Sequence, residues 1–340
     1  MTSAGMAVEG WTPTEAQGGT QLMVAGLRRG LGAWLQAVDL HVNSIHRVPD
    51  RAKAQLLWIH HDINIPEVQW LHDQAKRDAI DGFIFVSDWQ RARFVTTFGI
   101  DAARSLVLRN ATDVPKAPRP WQPGAIRRIA YTSVPYRGLS VLLDAWCEAA
   151  IPHAELHVWS AMRLYGPHYA GRDADYQALY ARAQALDGVV YHGVVPNDAL
   201  RRSLATIDFL AYPCIFAETS CLAAIEAMSA GCRIICPSVG ALPETTHGFA
   251  REYSFIPDPK AHARHFARLL REELDQPWAG RPERCLEQQA YAAAHYDWSV
   301  RLIEWKAIIG ALLHTRVGES RLSLNHGCLG AALPFGVRTR

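Results

Sequence analysis

Short apolar runs alternate with stretches of helical spacing along most of the chain, and the alternation falls into two halves. In the first, GGTQLMVAGLRRGLGAWL (18–35) reads as a helix after its glycine pair, QAVDLHVNS (36–44) and AQLLWIHH (54–61) as strands, and EVQWLHDQAKRDAI (67–80) as a helix. GFIFVS (82–87) is a short β run, DWQRARFVTTFG (88–99) a helix that Gly99 stops, and SLVLRN (105–110) another strand. DVPKAPRPWQPG (113–124) holds four prolines in twelve residues and reads as a linker. The second half runs RRIAYTS, LSVLLDAWCEAA, ELHVWS, DYQALYARAQAL, VVYHGV, NDALRRSLATI and DFLAYP, strand and helix in turn, then CIFAETSCLAAIEAMSAG, RIICPS and long helices to about residue 314. Strands separated by helices of this length imply right-handed βαβ units and parallel sheets. The expected fold is therefore α/β, with two Rossmann-like parallel-sheet domains facing a cleft. Residues 1–122 form a short N-terminal domain, 123–316 a second domain with C-terminal helices, and 317–340 an unassigned tail without clear period.

The chemistry concentrates in residues 214–231. DFLAYP is a buried strand ended by Pro213, so CIFAETS is a loop at the carboxyl end of a parallel strand, and CLAAIEAMSA is a helix with Gly231 at its end. Thr219 or Ser220 is placed to cap its start. Such a strand–loop–helix turns free backbone N–H groups and the positive end of a helix dipole outward, which suits phosphate. Two carboxylates, Glu218 and Glu226, lie on either side of the helix start. Read alone, Glu218 is either a capping carboxylate or an acceptor for sugar hydroxyls. Glu226 is either on a narrow solvated face or an acceptor for a ribose diol.

FAETSCLAAIEAMSAG resembles the Glu-x7-Glu motif of the retaining glycosyltransferases of family 4 (glycosyl transferases group 1), which have the GT-B fold. Other segments fall in that family's order: EAQGGTQLMVAGL resembles its N-terminal Gly-Gly loop, FVSDWQRARFVTTFGI with VLRNATDV the end of its first domain, YTSVPYRGLSVLLDAW its phosphate-binding segment, and VGALPET a later loop. The resemblance covers roughly residues 15–310. It implies that Glu218 contacts the donor sugar, Glu226 the nucleotide ribose, and the backbone of Thr219, Ser220, Cys221 and Leu222 the distal phosphate. Gly18 and Gly19 let the loop approach the diphosphate, and Arg137 supplies a cation to it. The family usually has an Arg and a Lys five residues apart; here those positions are Thr132 and Arg137, which leaves less positive charge for the leaving group. The resemblance also implies one histidine near the donor sugar. His60 fits a Trp-x-His pattern and His61 a His-Asp pattern, with His60 favoured and its role hydrogen bonding. A metal held by His60, His61 and Asp62 is disfavoured, because neighbours on a strand point to opposite faces. His262 and His265, on a polar helix, are expected in solvent.

The implied reaction moves a hexose-type sugar from a nucleotide diphosphate to a hydroxyl of a glycan or lipid-linked saccharide, with retention. Neither cofactor nor metal is expected, since no Asp-x-Asp metal signature stands out and DAD (173–175) lies in a polar stretch. Of 340 residues 49% are hydrophobic and 20% charged, with net charge +2, so nothing suggests a nucleic-acid partner. No run reaches membrane-spanning length. The N-terminus has no basic region followed by an apolar core, so no signal peptide is expected and the expected location is cytoplasmic, with peripheral contact to the cytoplasmic face of a membrane where the acceptor is lipid-linked. Seven scattered cysteines without a Cys-x-x-Cys pair read as buried thiols. Thr132 and the short first domain motivate an alternative, a non-catalytic sugar-nucleotide-binding partner. A nicotinamide oxidoreductase needs a strand followed by Gly-x-Gly-x-x-Gly; GLRRGLG (26–32) falls within a helix instead.

Overall fold

The computed structural model describes residues 16–46, 48–119, 126–275 and 281–317. The expectations for residues 1–15, for 120–124 of the proline-rich stretch 113–124, and for 318–340 of the tail lie outside them. The chain forms two compact units. A small unit contains Met23–Ala111 and the described residues from His295 on; a large unit contains Thr112–Ala294 and the described residues before Met23. The chain passes from one unit to the other at Leu22–Met23, Ala111–Thr112 and Ala294–His295, so the last helix belongs to the small unit.

The small unit is built on four parallel strands, β1 (Val38–Val42), β2 (Ala54–Ile59), β3 (Gly82–Phe85) and β4 (Ser105–Val107), in that spatial order. Every residue of β2 and β3 is buried, which explains their near-continuous apolar sequences. Leu57, Ile59, Phe83 and Phe85 pack with Phe94 and Phe98 of helix Asp88–Phe98. Ser87 caps that helix through Gln90 N (3.0 Å), and Gly99 ends it at φ 66°. The single helix expected over 67–80 is two pieces, a 3₁₀ turn Pro66–His72 and helix Gln74–Asp78, because Asp73 is extended and caps the second piece. Gly26 and Gly30, the supposed dinucleotide echo, are packing positions. A Cβ at Gly26 would lie 2.0 Å from the Trp298 ring, and one at Gly30 2.3 Å from Leu302. Their missing side chains let helix Trp298–Val317 settle against helix Gly19–Leu31, and Trp305 then meets Trp58 edge-on at 5.0 Å.

The large unit holds six parallel strands: β5 (Arg127–Thr132), β6 (Ala154–Trp159), β7 (Val189–Tyr191), β8 (Phe209–Ala211), β9 (Arg233–Pro237) and β10 (Arg251–Tyr253). Their order is β10-β9-β8-β5-β6-β7. The chain runs outward from β5 to β7, crosses back to β8, and runs outward the other way, so the loops leaving β5 and β8 diverge from adjacent strands. Strand β10 carries no clear apolar pattern in the sequence. His262 corrects the expectation of exposure: it is 0% exposed and shares a 2.5 Å hydrogen bond with the Tyr253 hydroxyl. It sits on the buried face of helix Pro259–Asp275 beside Phe266, and burial, then His265, pushes its pKa down to about 4. Of the described cysteines, Cys147 is exposed and the other five are buried. Among the described residues no helix is long and apolar enough to cross a membrane.

Candidate active site

In an open parallel sheet the ligand crevice lies where two adjacent strands send their connections in opposite directions. In the large unit that point is the carboxyl end of β5 and β8. Beyond β5 come Ser133 and a short 3₁₀ turn, Pro135–Arg137, then Gly138 and helix Leu139–Ala149. Beyond β8 come Tyr212, Pro213 and the loop to helix Leu222–Ser229. The two connections touch at Gly138, which has φ +119°; a Cβ there would lie 2.2 Å from the Pro213 carbonyl oxygen. Gly138→Ala is therefore expected to cost about 2 kcal/mol in stability. It should also lower the affinity for any ligand held by the 212–218 loop; urea unfolding and ligand titration on one variant test both parts.

This contact brings Arg137 and Glu218 together. Arg137 Nη1 donates to Glu218 Oε2, and the Tyr212 hydroxyl donates to Glu218 Oε1 at 2.5 Å. Glu218 is 3% exposed, so its charge depends on these donors. Burial alone would lower the Arg137 pKa; the Glu218 carboxylate, together with Tyr212, Tyr165 and Tyr136, more than offsets it and holds the guanidinium firmly protonated. Burial, with Cys214 and Glu218 nearby, raises the Tyr212 pKa, so its hydroxyl stays a donor. Arg137 also lies over the Phe216 ring at 4.5 Å. Its buried Nε–H has no hydrogen-bond partner, and neither has the buried hydroxyl of Thr132. The guanidinium thus holds Glu218 with one arm and keeps a donor in reserve.

From Glu218 the chain passes through Thr219 and Ser220 to Cys221, which is the N-cap of helix Leu222–Ser229 and makes no side-chain cap bond. The expected cap from Thr219 or Ser220 is thus replaced by an extended Cys221. Glu226, on the helix, is 5% exposed, which removes the solvated-face reading. Its Oε1 accepts from Asn197 Nδ2 at 2.8 Å. Burial pushes its pKa up to about 7, against the Asn197 hydrogen bond and Arg201. Gly18 lies under the Tyr165 ring, where a Cβ would come within 2.7 Å, while a Cβ on Gly19 would meet nothing within 4 Å. Tyr165 in turn reaches the Tyr136 hydroxyl at 3.3 Å. Asp173, in the DAD stretch, is buried rather than solvated: it accepts from Met162 N (2.6 Å), Arg163 Nε (2.7 Å) and Tyr180 (2.9 Å).

In the small unit, His60 and His61 follow β2. His60 N donates to Asn43 Oδ1 at 2.7 Å, and the Asn43 amide meets His61 Nε2 at 3.3 Å. The His60 ring lies 4.4 Å from Trp58. Burial, then His61, pushes the His60 pKa down to about 3, so its imidazole is neutral near pH 7. Burial also lowers that of His61. Asp62 is taken by Arg93, which donates from Nε (2.9 Å) and Nη2 (3.0 Å).

Residues 125–272 match the family model Glycosyl transferases group 1. Among solved structures, the chain is similar to a glycosyltransferase from Rickettsia africae, at 14% identity and TM-score 0.60 over 87% of this chain and 81% of that one. HepE from Anabaena, solved in complex with UDP and glucose, gives 14% identity and TM-score 0.56 over 76% and 72%. Sucrose-phosphate synthase from Thermosynechococcus elongatus gives 19% identity and TM-score 0.55 over 79% and 69%. The sequence matches none of the curated proteins. The fold is GT-B, an α/β architecture with two parallel sheets.

Within the large GT-B unit the predicted Arg137 and Glu218 meet directly, and Glu226 lies further along the same segment. His60 and His61 belong to the small unit. Three participants carry no motif: Tyr212, Asn197 and Tyr165. A buried tyrosine just before Pro213 is a weak signal for the first; Asn197 reads in sequence as an ordinary helix start.

Proposed function

We propose that the protein is a retaining glycosyltransferase that moves a hexose-type sugar from a nucleotide-diphosphate donor to a hydroxyl acceptor, a glycan or lipid-linked saccharide. The observation that carries this reading is the Arg137–Glu218–Tyr212 cluster at the divergence of β5 and β8, inside the segment that matches the glycosyltransferase family model. The complexes of HepE with UDP and glucose, and of the pneumococcal O-GlcNAc transferase GtfA with UDP and GlcNAc, favour a UDP sugar as the first donor to try.

In this reading Glu218, already fixed by two donors, accepts from the sugar hydroxyls. The Arg137 guanidinium and the backbone N–H groups from Thr219 to Leu222 are assigned to the diphosphate, whose negative charge grows as the glycosidic bond breaks. Each such donor, aimed in advance and shielded from water, is worth about 2–4 kcal/mol to that step. Glu226 takes the ribose diol. The Gly18–Gly19 loop approaches the diphosphate, with Gly18 set by Tyr165. His60, its imidazole neutral, is assigned hydrogen bonding, with His61 beside it; neither serves as an acid. With Thr132 where the family usually has an arginine, Arg137 is the cation assigned to the leaving group. The mechanism assigns no step to a metal. The proposed setting is cytoplasmic, with peripheral membrane contact if the acceptor is lipid-linked.

A thermal-shift screen of UDP, GDP and ADP sugars, followed by a hydrolysis and transfer assay, tests the proposal. One donor should stand out and be turned over by the wild type but not by Glu218→Ala. Nucleotide binding without turnover of any donor would instead select the non-catalytic sugar-nucleotide-binding partner, the reading that Thr132 favours.

A further inference from the structure

Glu226 is buried on a helix whose surroundings supply little to keep it charged, and the donor that reaches it comes from another element. Asn197 is the first residue of helix Asn197–Leu204, behind Pro196, and that helix has no side-chain cap bond. The Asn197 side chain instead turns to Glu226 and donates to Oε1 at 2.8 Å. Its backbone N–H donates to Gln17 Oε1 at 3.2 Å, and Gln17 N donates to the Leu164 carbonyl at 2.8 Å. One residue therefore joins Glu226 to the loop just before Gly18.

We infer that Asn197 is a positioning residue: its amide aims Glu226 and keeps the carboxylate available to ligand hydroxyls, and its backbone ties that carboxylate to the Gln17 loop. The nature of the ligand, a nucleotide ribose, rests on the proposed function. The charged groups facing Glu226 are Arg201, one turn along the Asn197 helix, and Asp113 on the segment leaving β4. They act in opposite senses and are paired with each other at 2.8 Å. The neutral donor is thus the strongest influence opposing burial.

The test compares wild type, Asn197→Ala and Asn197→Asp, the last keeping the shape while replacing the donor with an acceptor. Difference infrared spectroscopy follows the carboxyl titration in ligand-free protein, with Glu226→Gln assigning the band. UDP titrations from about pH 6 to about pH 9 follow binding. Both Asn197 variants should titrate Glu226 at higher pH than the wild type, Asn197→Asp most. At neutral pH UDP affinity should fall about tenfold or more, and the deficit should shrink as pH rises and the carboxyl ionises. An unmoved carboxyl titration, or an affinity loss equal at every pH, overturns the inference. If the wild type binds no nucleotide at any pH, the proposed ligand is wrong, while the ligand-free titration still decides whether Asn197 controls Glu226.

Discussion

Arg137→Met is expected to destabilise the protein by about 3–5 kcal/mol, because it strands Glu218, which is 3% exposed, without its cation. Tyr212 still donates to Glu218 Oε1, but a single neutral hydroxyl does not replace a guanidinium. Adding Glu218→Gln to Arg137→Met should recover more than half of the loss, because the buried charge is then gone and the amide carbonyl still accepts from Tyr212. This recovery separates ion pairing from packing. Arg137 also covers the Phe216 ring, and methionine keeps much of that apolar contact. Urea unfolding of the two singles and the double closes the cycle. Additive losses would show that the pair contributes nothing beyond its separate side chains. The function should not follow the stability: under the proposed mechanism the double variant folds yet transfers no sugar, since both the diphosphate cation and the sugar acceptor are missing.

The elements were legible where local chemistry decides them. Alternating apolar runs mark β2, β3, β5 and β8, and Gly99 ends its helix as expected, because a left-handed cap needs little from the rest of the fold. Asp73 broke a predicted helix by capping its second half, a competition between backbone and side chain that periodicity does not weigh. Strand order was the larger gap. Nothing local to β5 or β8 says that they are neighbours, yet this adjacency places Arg137 on Glu218 and gives Gly138 its contact with Pro213. The motif therefore marked the carboxylates but not what holds them. His262 failed for a related reason: its helix is polar on average, and only the packing against Tyr253 reveals which face is buried.

Glu226→Gln is expected to make the ligand-free protein more stable at alkaline pH relative to wild type, by about 3 kcal/mol. Burial raises the Glu226 pKa from 4.5 to about 7. Between those values the folded protein keeps a proton that the unfolded chain has released. Stability from this group is therefore full below the lower value, declines as pH rises through the interval, and remains reduced above the upper one. Glutamine does not titrate, and its carbonyl can still accept from Asn197. The difference in unfolding free energy between variant and wild type should thus move in the variant's favour from about pH 4 to about pH 8.5 and then level off; a difference that is flat with pH would remove the burial cost. Under the proposed function, nucleotide binding should run the other way. A carboxylate accepts from both hydroxyls of a diol and an amide carbonyl serves them less well, so the stabilised variant should bind UDP more weakly. A buried acid that weakens the empty fold but strengthens the complex is the trade expected of a binding group and not of a packing residue.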